Sequence, residues 1–144
     1  MGTEWGRKTH LEPGTSFAIT LWATDVYAVA DFLQAVAGAE VRQRHPGFAA
    51  LSVGGIDLEV HDDESYRGHP WYQALAKEGV ARGIGTELRI RVDDVQASYR
   101  EALKRGAQAI AAPYEFEGAV ECSLLGPDGY VLCLWQVWES STPV

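Results

Sequence analysis

The sequence predicts an α+β fold made of two copies of one module, each ordered strand, helix, strand, strand, strand. Two observations carry that prediction. Period-2 and helical hydrophobic patterns recur in the same order in both halves, and local landmarks repeat about 70 residues apart. Thus "ATDV" (23–26) answers "VDDV" (92–95), "AVAGAEV" answers "LKRGAQAI", and "GGIDLEV" answers "DGYVLCL".

In the first copy, "SFAITLW" alternates Phe17, Ile19 and Leu21 with Ala18, Thr20 and Trp22, the mark of a half-buried strand. Val26, Val29, Phe32, Leu33 and Val36 follow at helical spacing, with Thr24 or Asp25 as N-cap and Gly38 as stop. "AEVRQRH" and "GFAALSVGG" read as strands around a Pro46-Gly47 turn, and "GGIDLEVHDD" as a further strand. The stretch 62–85 breaks the pattern. Rich in Gly, charge and aromatics, it is expected to be a connector with one short helix at 71–77. In the second copy, "TELRIRV" is a strand, "DDVQASYREALKRGA" an Asp-capped amphipathic helix stopped at Gly106, and "AQAIAAPYEF" and "AVECSLLGPDGYVLCLW" the closing strands around Pro127-Asp128-Gly129. The expected organisation is an N-terminal extension (1–15), then one domain (16–140) whose modules span about 16–61 and 86–138.

Composition narrows the function. The 144 residues are 47% hydrophobic and 22% charged, as in an ordinary globular domain. No apolar run reaches membrane-spanning length, no signal-peptide core is visible, and the cytoplasm is the expected compartment. Twelve Lys and Arg against twenty Asp and Glu give a net charge of −8, which argues against a nucleic-acid partner and suits a cationic or amphipathic ligand. Cys122 and Cys133 are read as reduced thiols in strands.

Strand parity sorts the side chains into two faces. One is uniformly apolar: Phe17, Ile19, Leu21, Ile56, Leu58, Val60, Leu88, Ile90, Val92, Leu132 and Leu134. The other mixes Ala18, Thr20, Trp22, Asp57, Glu59, His61, Glu87, Arg89, Arg91, Cys133 and Trp135. Aromatic walls with a few polar groups describe a ligand pocket better than a core or a solvated face. The residues expected to bind ligand are Thr20, Trp22, Glu59, His61, Glu87, Arg89, Arg91, Cys133 and Trp135, joined by Trp71 or Tyr72 from the connector.

The doubled module, "VDDVQASYREALKRGA" and above all "LLGPDGYVLCLWQ" resemble the vicinal oxygen chelate superfamily, the glyoxalase/bleomycin-resistance/dioxygenase group. That resemblance implies two βαβββ modules, each sheet forming half of an open barrel around a cavity, and a homodimer. It places the metal ligands of metal-using members at Ala18, Glu59, Glu87 and Cys133. Alanine cannot ligate, and thiolate with two carboxylates is a mismatched donor set. The sequence is therefore closest to the metal-free, bleomycin-resistance-like branch. No cofactor is expected, and the expected function is sequestration of a planar or aromatic small molecule, an antibiotic among the candidates. The alternative is a metal-dependent lyase, isomerase or dioxygenase of the glyoxalase type using Glu59 and Glu87.

Overall fold

The computed structural model describes residue 11 and residues 13–137; most of the expected N-terminal extension lies outside these. Its order is β1 (Ala18–Ala23), α1 (Val26–Ala37), β2 (Glu40–His45), β3 (Phe48–Val53) and β4 (Ile56–Asp62), then a connector containing α2 (Tyr72–Ala76). The order then repeats as β5 (Glu87–Arg91), α3 (Val95–Lys104), β6 (Gln108–Phe116), β7 (Ala119–Leu125) and β8 (Val131–Val137). The strands form two open four-stranded sheets, β1-β4-β3-β2 and β5-β8-β7-β6. In each, the first strand of the module pairs in parallel with its last, and the remaining pairs are antiparallel.

The helices begin and end where local chemistry dictates. Asp25 and Asp94 are extended N-caps whose carboxylates accept from the amides of Ala28 and Ala97. This satisfies a donor that would otherwise be orphaned at a helix start. Gly38 ends α1 with φ of 70°, a conformation that side chains with a Cβ resist.

Val29, Phe32, Leu33 and Val36 of α1 and Val95 and Ala102 of α3 pack with Leu21, Leu51, Leu58, Val60, Ile90, Leu124, Leu132 and Leu134 in one continuous core. Two residues assigned to the apolar face escape it: Phe17 is 67% exposed and Ile56 39%. Phe17 lies before the first paired residue of β1, and Ile56 is the first residue of β4, so both stand at the end of the ladder. The connector helix is shorter than expected, and none of its residues is buried.

The connector is tied to both modules. Arg82 donates to both carboxylate oxygens of Asp63, at 2.8 and 2.6 Å, and to the carbonyl of Trp22 at 2.9 Å. The Tyr130 hydroxyl donates to that same carbonyl at 2.6 Å and accepts from the Trp22 amide at 3.0 Å. Asp128, at φ of 59°, accepts from the amide and hydroxyl of Thr24. Gly83 passes so close to the 127–129 turn that a Cβ there would stand 2.1 Å from the Gly129 carbonyl oxygen. Only glycine fits.

Candidate functional site

The sheet faces that the helices leave uncovered carry the polar and aromatic residues singled out above. Ladder register sets them out in rows. On module 1, Thr20 lies opposite Glu59 and Trp22 opposite His61, with Phe48 across from His61 on the other side and Ala50 across from Glu59. On module 2, Arg89 faces Cys133 and Arg91 faces Trp135, with Ser123 and Glu121 on the neighbouring strand.

Module 1 builds an aromatic wall. Trp22 meets Tyr66 edge-on at 5.3 Å between ring centroids and His69 at 5.9 Å. Tyr66 touches His61 at 5.5 Å and His69 at 5.3 Å, and His61 touches Phe48 at 5.0 Å. His61 Nε2 lies 3.2 Å from Glu59 Oε1. Glu59 is buried, so a carboxylate floors this face. Beside it opens a cavity of about 230 Å³ lined by Leu11, Arg42, Ala50, Asp57 and Glu59 among others. Small Ala50 leaves that space.

Module 2 is different. Glu121, also buried, accepts from Arg89 at 2.9 Å, from the Tyr114 hydroxyl at 3.0 Å and from the Cys133 thiol at 3.7 Å. The Arg89 hydrogen bond holds the Glu121 carboxyl below its ordinary range despite burial, and Glu121 in turn raises Tyr114. Arg89 also reaches the Cys133 sulfur at 3.3 Å and Glu87 at 3.4 Å. Burial, with Glu121 adding to it, pushes the Cys133 thiol up to about 11, and the Arg89 charge does not offset them. At neutral pH Cys133 is a protonated donor, the opposite of an activated nucleophile. Arg91 lies over the Trp135 ring at 5.4 Å.

The expected site residues thus divide between two faces. Thr20, Trp22, Glu59 and His61 belong to module 1, and Glu87, Arg89, Arg91, Cys133 and Trp135 to module 2. Trp22 and Trp135 therefore stand on different sheets, and among the described residues no ring contact joins them. Trp71 is 60% exposed and takes no place in the aromatic wall; Tyr72 donates instead to Glu64. Tyr66 and His69 are the connector residues that meet the Trp22 ring. Glu121 and Tyr114 went unrecognised because they sit on strands whose parity was not resolved. The "VEC" alternation at 120–122 was the available signal for Glu121.

The metal-bearing positions fit poorly. Among the described residues no three His, Cys, Asp or Glu side chains converge on a point that could hold an ion. Glu59 is on one sheet, Glu87 and Cys133 are on the other, and Cys133 is a protonated thiol. Nor is any helix among the described residues long and apolar enough to cross a membrane.

Comparison with known proteins agrees with this architecture. A glyoxalase/bleomycin resistance protein/dioxygenase family enzyme from Burkholderia phytofirmans PsJN is 27% identical. It superposes with a TM-score of 0.65 over 83% of this chain and 97% of its own. TioX from Micromonospora sp. ML1 is 19% identical, with a TM-score of 0.58 over 90% and 98% of the two chains. The fosfomycin resistance protein FosX from Mesorhizobium loti is 13% identical, with a TM-score of 0.60 over 87% and 93%. At those identities the last two are likenesses of fold. No curated protein matches the chain in sequence. The profile of the glyoxalase-like domain matches residues 18–135, nearly the whole double module, and the chain belongs to that family.

Proposed function

We propose that the protein binds a planar, amphipathic or cationic small molecule without a metal, and that its role is sequestration of the kind associated with antibiotic resistance. The observation that carries this reading is the module 1 face, where an aromatic wall is joined through the His61–Glu59 contact to a neighbouring cavity that Glu59 helps to line. Aromatic side chains select flat ligands, each stack adding about 0.5–1.5 kcal/mol beyond area burial. Asp57 is paired with Arg42, so the buried Glu59 carboxylate, in a chain of net charge −8, is what favours a cationic group beside that flat body. One neighbour of the same fold, FosX, is named as a fosfomycin resistance protein. The poor metal fit favours binding over the lyase or dioxygenase chemistry that depends on a metal ion. A homodimer belongs to the same proposal: Phe17, Ile110 and Phe116 are exposed, and β1 and β5 are open sheet edges.

The test is titration of tryptophan emission with 9-aminoacridine, a planar cation. Saturable quenching is expected, weakened about tenfold by Trp22→Ala and also by Glu59→Gln. Absence of quenching, or a stoichiometric divalent metal in protein purified without chelator, would refute the proposal.

A further inference from the structure

Trp22 presents an anomaly. Its indole Nε1 is shut off from solvent, yet it has no hydrogen-bond acceptor. A buried donor left unpaired costs about 1–3 kcal/mol, so such groups call for an explanation. Among the described residues the rings that meet Trp22 belong to the connector: Tyr66, itself buried, and His69.

That connector has the construction of a clamped loop. Asp63 stands at its start and Arg82 at its end, and their bidentate ion pair, both side chains about nine-tenths buried, fixes the two ends together. Between them, residues 64–81 form one closed excursion. Its backbone hydrogen bonds are internal, Arg67 to Glu64, His69 to Tyr66, Leu75 to Trp71 and Val80 to Ala74. Its helix buries nothing, and Trp71 and Val80 are 60% and 49% exposed. Gly68 and Gly79, at φ of 97° and 66°, lie on either side of that helix. The ends are held tightly and the body lightly, which is how a segment that opens locally is built.

We infer that residues 64–81 gate a subsite whose anchor is the Trp22 indole N–H, and that the preferred ligand brings a hydrogen-bond acceptor, a carbonyl oxygen or ring nitrogen, on its flat body. The inference rests on the ligand-binding reading above and adds to it a chemical selectivity and an entry route. Lifting Tyr66 and His69 uncovers the ring while the Asp63–Arg82 pair keeps the loop in register. The acceptor then satisfies the donor that the closed loop leaves unpaired.

Two planar probes of nearly equal size separate this from simple stacking: 9-fluorenone, which carries a carbonyl, and fluorene, which does not. Fluorenone is expected to bind roughly tenfold more tightly, and Trp22→Phe, which keeps a ring and removes the N–H, should bring the two within about twofold. Equal affinities in the native protein, or a preference that survives Trp22→Phe, overturn the anchor, while failure of 9-aminoacridine to bind at all refutes the ligand-binding reading instead. Hydrogen exchange on the ligand-free protein tests the gate without any variant. The amides of 67–81 should exchange at least about a hundredfold faster than those of β1 and β4; exchange as slow as in those strands overturns the gate.

Discussion

The two modules share one backbone plan and spend it on different chemistry. By register, Thr20 and Arg89 are equivalent, as are Glu59 and Cys133, Phe48 and Glu121, and His61 and Trp135. Each face has one buried carboxylate, but on module 1 it stands on the last strand beside an imidazole, and on module 2 on the third strand beside a guanidinium. The core-side equivalents barely differ: Leu58 matches Leu132, and Leu21 matches Ile90. The helix-bearing side is constrained by close packing, which punishes changes of volume. The uncovered side is free to diverge. In this chain it has become an aromatic wall on one sheet and a charged network on the other.

Breaking the buried ion pair at the connector should have the largest effect. Arg82→Met leaves the Asp63 carboxylate buried and unpaired, and a loss of about 3–5 kcal/mol is expected in denaturant unfolding. A loss below about 1 kcal/mol would mean that the clamp is not what holds the connector. Cys133 should come next, because module 2 keeps its thiol protonated. With its value near 11, alkylation by iodoacetamide at pH 8 should run on the order of a hundredfold slower than for an ordinary thiol. Because the folded value lies above the unfolded one, the associated stability is fully present below about pH 8.5 and is lost as pH rises through the folded value.

Arg89→Met, which strikes the guanidinium–carboxylate pair of the module 2 face, should cost less, about 1 kcal/mol, since Arg89 is half exposed and Glu121 keeps Tyr114 and Cys133 as partners. Equal losses for Arg82→Met and Arg89→Met would erase the distinction drawn between a clamp and a surface network. The smallest effect is expected from acid. Glu121 is held below its unfolded value of about 4.3, so its contribution is present above that pH and lost as pH falls through the lower folded value. The stabilities of the native protein and Glu121→Gln should therefore converge towards pH 2, a measurement made by thermal unfolding across pH.

Most of the fold was legible because it is written in local, periodic signals. Asp25, Gly38, Asp94 and the alternation of Ile19, Leu21, Leu88 and Ile90 each need only a few neighbours to be understood. The site was legible only by halves. Parity set Glu59, His61, Arg89 and Cys133 apart from the apolar faces, but parity does not say that the first two stand on one sheet and the last two on another. Tyr66 and His69 were hidden for another reason. They come from a connector without periodicity, and their placement depends on Asp63 meeting Arg82, a pairing that no local pattern announces. Phe17 and Ile56 failed in the reverse direction, since alternation continues past the point where the ladder, and with it the cover, ends.

The parallel pairing of first strand with last has a consequence for how the chain acquires its shape. Neither sheet can close as its strands appear, because the partner of β1 is the final strand of module 1 and the partner of β5 is the final strand of module 2. A ribosome releasing the chain presents β1 with no mate until Asp62 has emerged, and the bonds from Tyr130 to Trp22 must wait for the second module as well. Such distant contacts slow folding. The topology thus makes two non-local sheet closures and the Tyr130–Trp22 bonds the late-available contacts of the chain, and leaves β1 and β5 as edges until their partners are present.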